Sequence, residues 1–235
     1  MNNIKNPFAD LTLFERGLWG ISVAVIVLSA AIMGGADLFS VTASLIGVTA
    51  LIFVAKGDVT GQILTVIFSI LYAIVSFEQR YYGEMITYLF MSAPSAIFSV
   101  ISWLRHPFAT DHAEVKMERI GKKDLVLLPV LCVLVTAAFY WILRWMGNAQ
   151  LGVSTFSIAT SFLASYLLFR RSPFYALAYV GNDVVLILLW TVAAFHDPTA
   201  LSMIACFVMF LCNDLYGFFN WIRLRRAQAR YEKGL

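Results

Sequence analysis

The sequence predicts an all-α integral membrane protein with eight transmembrane helices, on three grounds. Hydrophobic residues make up 60% of its 235 residues and charged residues only 13%, so a soluble domain of this length could not bury its apolar surface. Eight apolar stretches reach the length of about 20 residues that crosses a bilayer core about 30 Å thick. Six of them are related by an internal repeat. The predicted spans are residues 18–35, 39–55, 60–77, 84–104, 124–145, 150–169, 174–195 and 199–222.

The repeat appears as matching segments in the two halves of the chain. The matches are 39–44 (FSVTAS) with 156–161 (FSIATS), 66–77 with 184–195, and Trp103 with Trp221. The offset is 117 residues for the first match and 118 for the others. Spans two to four and six to eight are therefore predicted to form two three-helix repeats joined by a connector, in a 3+1+3 order. An even number of crossings separates equivalent helices, which predicts parallel repeats and favours a transporter.

Five segments follow from this repeat. They are 1–38 (N-terminal segment and first helix), 39–104 (repeat 1), 105–149 (cytoplasmic linker and connector helix), 150–222 (repeat 2) and 223–235 (basic cytoplasmic tail). Within the linker, residues 113–123 (AEVKMERIGKK) are expected to form a short surface helix. Pro94 is expected to kink the fourth span or free one of its backbone hydrogen bonds.

The distribution of basic residues predicts the orientation. With eight spans and both termini inside, fifteen basic residues are cytoplasmic and only Arg80 and Arg144 face outward, a strong positive-inside asymmetry. The cytoplasmic set is Lys5, Arg16, Lys56, Arg105, Lys116, Arg119, Lys122, Lys123, Arg170, Arg171, Arg223, Arg225, Arg226, Arg230 and Lys233. The net charge of +3 reflects this topology, so no nucleic-acid partner is expected.

Several functional classes find no support in the sequence. All three histidines, His106, His112 and His196, fall in predicted loops, so no span offers a histidine to pair with a nucleophile or metal. We therefore expect no catalytic residues, no metal site and no cofactor. No lysine lies inside a span, as a retinal receptor would need, and no charged ring or filter-like loop indicates a channel.

Two Asn-Asp pairs lie inside the spans, Asn182-Asp183 in span seven and Asn213-Asp214 in span eight. An Asp at the bilayer centre costs about 2.5–3.5 kcal/mol, so it normally faces a polar cavity or a partner. Counted along the helices, both pairs lie about 9–12 Å above the inner boundary. Pairs at matched depth predict a shared ligand chamber, and the alternative is that they join helices.

Helical spacing adds aromatic and amide groups to these pairs. Tyr179, Asp183 and Trp190 share one face, Asp214, Gly217 and Trp221 another, and Asn213, Tyr216 and Asn220 a third. Such groups suit a flat cationic ring, which aromatic rings stack on, carboxylates neutralise and amides hydrogen-bond. The alternative for Trp103 and Trp221 is an anchoring role at the membrane interface.

The spans of repeat 1 contain no Asn-Asp pair. The main polar positions of this repeat are Gln62, Ser69, Tyr72, Thr87, Tyr88 and Ser95. Ser95 and Ala96 occupy the places of Asn213 and Asp214, so recognition is expected mostly from repeat 2. Gln62 and Tyr72 complete the predicted site.

Residues 214–221 (DLYGFFNW) resemble the N-x-Y-G-[WF]-x-x-W signature of PnuC-type vitamin transporters. Asn182-Asp183 and the apolar run to Trp190 resemble their penultimate helix, and the likeness covers spans two to eight. Two departures are Asp214, where the motif has Asn, and repeat 1, which keeps only Trp103 of the motif.

The resemblance implies uptake of nicotinamide riboside by facilitated diffusion with alternating access, and trapping by a cytoplasmic kinase. It also implies a bacterial inner-membrane location, a homotrimer and a relation to SWEET sugar transporters. Thiamine, then riboflavin, remain alternative substrates. A non-transporting membrane sensor is the alternative from another class.

Overall fold

The structure is a computed structural model that describes residues 8–33, 38–108, 114–148 and 150–233. Within these residues, eight helices are long and apolar enough to cross a membrane, which confirms the predicted fold class. They are α1 (Leu13–Met33), α2 (Leu38–Ala55), α3 (Val59–Glu78), α4 (Tyr82–Arg105), α5 (Lys122–Trp145), α6 (Leu151–Phe169), α7 (Phe174–Ala194) and α8 (Leu201–Tyr231).

The turn between α2 and α3 shows how local sequence sets the helix ends. Gly57 adopts φ +71°, a conformation that favours glycine, and it reverses the chain directly after α2. Asp58 then caps α3, because its Oδ1 accepts a hydrogen bond from the Thr60 N–H at 2.8 Å. A methyl group on Gly61 would overlap the backbone nitrogen of Val54. The two helices therefore pack backbone to backbone.

Helix α4 is irregular where the sequence predicts a disturbance. Residues Tyr88–Ser92 form a π-helical turn, and α-helical geometry resumes at Ala93–Arg105, with Pro94 in its first turn. Proline lacks a backbone N–H and clashes with the carbonyl four residues before it, and a wider turn accommodates both. The predicted loosening of the backbone hydrogen bonds around Pro94 is confirmed.

Helix contacts divide the bundle into two units. Helix α3 packs against α2 and α4, and α7 packs against α6 and α8. Between the units, α2 contacts α8 and α4 contacts α6. The first helix of each unit thus contacts the third helix of the other, the reciprocal pattern expected of parallel repeats around an axis along the bundle. Helix α1 packs against α2 and α8, and α5 packs against α6.

The linker before α5 is extended, so the expected surface helix is wrong over residues 114–121. The N–H of Val115 donates to the carbonyl of Gly57 at 3.0 Å, and the N–H of Met117 donates to Oε1 of Gln228 at 2.9 Å. The linker backbone is satisfied by the α2–α3 turn and by α8 rather than by its own helix. Residue 113 lies outside the described residues.

Candidate functional site

The two ends of the bundle differ in charge. The basic end is where α2 finishes and α3 begins, and it carries Arg105, Lys122 and Arg170. The far end is where α3 finishes and α4 begins, and it carries Arg80 and Arg144.

A small chamber lies between the two repeats, with a cavity volume of about 60 Å³. A cavity of this size holds a few water molecules, so a vitamin-sized ligand requires its walls to move apart. Repeat 1 contributes Gly47, Ala50, Leu51, Val54, Thr65, Phe68, Ser69, Tyr88 and Ser92 to its wall. Repeat 2 contributes Ser161, Leu168, Tyr175, Tyr179, Asn182, Asp183, Phe210 and Asp214. All carboxyl and amide groups of the wall come from repeat 2, as the sequence predicts.

Asp183 and Asp214 meet in this chamber. Both are buried, with 2% and 3% of their surface exposed, and their carboxyl groups lie within hydrogen-bonding range of each other. Among the described residues, no donor reaches Oδ2 of Asp183. Two carboxylates this close repel each other in a medium of low dielectric constant, and a shared proton or a bound cation relieves the repulsion. Asp183 and Asp214 therefore lie at the same depth in the bundle, although Asn213 is not in the chamber wall.

Asn182 is held in a fixed orientation beside this carboxyl pair. Its Oδ1 accepts hydrogen bonds from Oγ1 of Thr160 and Oγ of Ser161, both at 2.8 Å. These two hydroxyls belong to the segment 156–161 that revealed the repeat. With the amide oxygen occupied, the NH₂ group is the part of Asn182 available to a ligand.

Aromatic rings line the chamber toward both ends of the bundle. Toward the far end, Phe68 packs against Phe210 with ring centroids 5.2 Å apart, and against Tyr88 at 5.8 Å. Toward the basic end, Tyr175 packs against Tyr179, with centroids 6.1 Å apart. The chamber therefore offers flat apolar faces above and below its carboxyl groups.

Gly47 lets α2 form part of this wall. A Cβ atom at this position would overlap the ring of Phe210 and would lie 3.0 Å from the Phe68 ring. Sequence reasoning missed Gly47, and it also missed Tyr175 and Phe210. The last two appear in the sequence as ordinary apolar-face residues, with no signal that separates them from packing positions.

Asn213 and Tyr216 were predicted to bind substrate, but neither lies in the chamber wall. The Nδ2 of Asn213 donates to Oγ of Ser22 at 3.1 Å, and the hydroxyl of Tyr216 donates to Oε1 of Glu15 at 2.8 Å. Both partners belong to α1. These residues share a helix face, as predicted, but that face is turned toward α1.

Asn220 and Gln62 also lie outside the wall. The Nδ2 of Asn220 donates to the carbonyl of Ala55 at 2.9 Å, which ties α8 to the end of α2. Gln62 is fully buried, and neither end of its amide has a hydrogen-bond partner within the described chain. Of the ten predicted binding residues, Tyr179, Asn182, Asp183 and Asp214 line the chamber.

Tyr72 and Trp190 form a buried pair beyond the far-end rings of the chamber. The indole N–H of Trp190 donates to the hydroxyl of Tyr72 at 2.8 Å, and neither residue is exposed. The ring of Tyr72 stacks on Phe68 with centroids 5.5 Å apart. The pair therefore supports the wall without lining it.

Trp103 and Trp221 are buried, so the membrane-anchor interpretation is wrong. They are 2% and 0% exposed, and their ring centroids lie 5.7 Å apart. The indole N–H of Trp221 donates to the carbonyl of Val54 at 2.8 Å. The tryptophans contact each other inside the bundle because the two units bring their third helices together at the basic end.

Two three-helix units around a chamber with buried carboxyl groups, within eight helices long and apolar enough to cross a membrane, are the architecture of a membrane transporter. Among the described residues, no group of three or more His, Cys, Asp or Glu is placed to hold a metal ion. The chain belongs to the nicotinamide mononucleotide transporter family, whose model matches residues 37–223. The family resemblance seen in the sequence is thereby confirmed.

Similar proteins carry the PnuC name. The nicotinamide riboside transporter PnuC of Neisseria mucosa is 27% identical over 191 residues, which cover 80% of this chain and 73% of that protein. The Haemophilus influenzae protein of the same name is 25% identical over 179 residues, 76% of each chain. A crystal structure of the vitamin B3 transporter PnuC has a TM-score of 0.83 at 25% identity, covering 94% of this chain and 95% of that one.

Proposed function

We propose that this protein mediates uptake of nicotinamide riboside by facilitated diffusion. The observation that carries the proposal is the buried pair of Asp183 and Asp214 in an aromatic chamber between the two repeats. The pyridinium ring of nicotinamide riboside is flat and positively charged. Its positive charge balances the carboxyl pair, and the names of the similar PnuC proteins support this choice of substrate.

Each group in the chamber has a role toward such a ligand. The two carboxyl groups balance the ring charge, and the exclusion of bulk water strengthens that attraction. Tyr179 and Tyr175 present their faces to the ring. The NH₂ group of Asn182 donates to the carboxamide oxygen of the ligand, an interaction that a purely apolar isostere cannot make.

The repeat architecture supports an alternating-access mechanism. The two units contact each other through α2 with α8 and α4 with α6, and they enclose one central site. Rocking of one unit against the other opens that site to each end in turn. The Asp residues balance the substrate charge, so they are not free to couple an ion. Transport is then passive and bidirectional, and phosphorylation of the vitamin in the cytoplasm drives net uptake.

The charge and the apolar surface of the helices bear on the membrane orientation and the assembly of the protein. The basic end faces the cytoplasm of a bacterial inner membrane, with both termini inside, because basic loops are retained there. The protein assembles as a homotrimer in which α5 contributes to subunit contacts. In support, α5 exposes large apolar side chains, with Leu125 72% and Val126 69% exposed.

A binding titration of the purified protein tests the substrate assignment. Nicotinamide riboside should bind most tightly, thiamine more weakly because it lacks the carboxamide that Asn182 would bind, and neutral riboflavin weakest. Preference for riboflavin would contradict the role of the carboxyl pair. Tight binding of nicotinamide riboside without any transport in vesicles would instead favour a membrane sensor.

A further inference from the structure

Glu84 is a buried carboxyl group that the chamber does not use. It lies in the first turn of α4 and is 0% exposed. The hydroxyl of Ser157, on α6, lies near it. Even so, no donor within the described residues reaches either Oε1 or Oε2 with good hydrogen-bond geometry.

The backbone around Glu84 is fixed. The N–H of Gly83 donates to Oδ1 of Asn148 at 3.1 Å, and Nδ2 of Asn148 donates to Oγ of Ser154 at 3.0 Å. A Cβ atom on Gly83 would lie 3.0 Å from the Ser154 side chain. The start of α4 is thus held against α6 by contacts that do not involve the carboxyl group. The structure therefore does not require a carboxylate at position 84 to join the helices.

Three tyrosine hydroxyl groups lie in the neighbourhood of the carboxyl group. Glu84 lies close enough to Tyr72, Tyr81 and Tyr88 to interact electrostatically with each hydroxyl group. The ring centroids of Tyr72 and Tyr88 are 4.3 Å apart, and those of Tyr81 and Trp190 are 5.3 Å apart. A buried carboxyl group near several tyrosines, two of which pack against Trp190, is a chemical environment that suits an organic cation.

This cluster lies between the chamber and the far end. Ser157 is six residues into α6, about 9 Å below the far end at a rise of about 1.5 Å per residue. Tyr88 belongs to the chamber wall and also neighbours Glu84. A ligand that moves from the far end to Asp183 and Asp214 therefore passes next to Glu84.

We propose that Glu84, with the rings of Tyr72, Tyr81, Tyr88 and Trp190, forms a second binding site for the pyridinium ring of the substrate, on the far side of the chamber. This proposal rests on the proposed function. Opening of the far end separates these rings and exposes the carboxylate to the incoming cation. The cation then exchanges this partner for the Asp183–Asp214 pair, so its charge is balanced at both positions along the path.

Initial rates of uptake into vesicles, measured from the far end, test the site. Glu84→Gln should slow uptake of nicotinamide riboside at least tenfold, while Glu78→Gln, at an exposed position of the neighbouring α3, should not. The equilibrium Kd of the purified Glu84→Gln protein should stay within about threefold of wild type, because the chamber keeps its carboxyl pair. Uptake of the uncharged, reduced form of the riboside should be unchanged.

Several outcomes would overturn the proposal. One is wild-type uptake by Glu84→Gln, and another is an equal loss for the charged and uncharged forms. A sodium or proton requirement in wild type that vanishes in Glu84→Gln would assign Glu84 to an inorganic cation instead. If Glu84→Gln does not fold, Tyr81→Leu, which removes one ring of the proposed site, must still slow uptake of the charged form selectively. No uptake by wild type or Glu78→Gln would refute the proposed function itself.

Discussion

Trp190 donates a hydrogen bond to Tyr72 at 2.8 Å, and the two residues occupy equivalent positions of the repeats, 118 residues apart. Trp103 and Trp221, equivalent at the same offset, contact each other with ring centroids 5.7 Å apart. Equivalent residues can touch only close to the axis that relates their repeats. The chamber therefore lies between two such pairs, one toward each end of the bundle.

Tyr72→Phe should lower the free energy of unfolding by about 1–3 kcal/mol, because it leaves the indole N–H of Trp190 buried and unpaired. Thermal unfolding in detergent measures this loss. Tyr231→Phe, at a side chain that is 73% exposed, should have no effect. Combining Tyr72→Phe with Trp190→Phe should cost less than the two losses added together, since both remove one hydrogen bond. Strictly additive losses would contradict the coupling.

Asp214→Asn and Asp183→Asn should each weaken binding of nicotinamide riboside at least tenfold, because each changes the charge that the carboxyl pair offers the pyridinium ring. Isothermal titration of the purified variants measures the change. Asp10→Asn, at an exposed position before α1, serves as the control. Wild-type affinity in both chamber variants would mean that the carboxyl pair only joins α7 to α8.

Asn182→Ala and Asn213→Ala should separate recognition from helix packing. Asn182 lines the chamber, so its loss should reduce affinity about tenfold through one missing hydrogen bond in a dry site. Asn213 binds Ser22 of α1, so its loss should reduce stability by about 1 kcal/mol and leave affinity within about threefold. Reduced affinity in Asn213→Ala, together with unchanged affinity and reduced stability in Asn182→Ala, would place Asn213 in the site instead of Asn182.

Gly47→Ala should destabilise the protein by about 1–3 kcal/mol and lower its affinity, because the added methyl group overlaps the ring of Phe210. Phe210 must then move into the chamber. Gly181→Ala is the matched control in α7, where an added Cβ meets nothing within 4 Å. Thermal unfolding and titration of both variants measure the effects. Equal behaviour of the two variants would show that Gly47 is not needed for the shape of the chamber.

The sequence predicted the chamber residues best where burial of a charged group is costly in free energy. A carboxyl group deep in a span must face a polar cavity or a partner, so Asp183 and Asp214 could be found from sequence. Asn213 and Tyr216 could not be assigned in the same way, because amides and hydroxyls serve equally well between helices. Their partners lie on α1, which has no counterpart in the repeat and therefore no predictable position.

The sequence did not indicate Glu84 as a binding residue, for a different reason. It lies at the edge of its span, where a glutamate is usually solvated, and its burial depends on how α4 meets α6. The π-helical turn at Tyr88–Ser92 also rotates the two halves of α4 relative to regular helical spacing. A regular helical period of 3.6 residues, applied to the whole of α4, therefore does not predict which of its side chains share a face.

Transport into sealed vesicles that contain the purified protein, without a kinase and without any ion gradient, tests the central proposal most directly. Labelled nicotinamide riboside should enter in a saturable manner, because it binds to the carboxyl groups of the chamber. It should reach the same concentration on both sides, because no ion gradient or phosphorylation drives its accumulation. Accumulation above the outside concentration when a proton or sodium gradient is imposed would contradict facilitated diffusion.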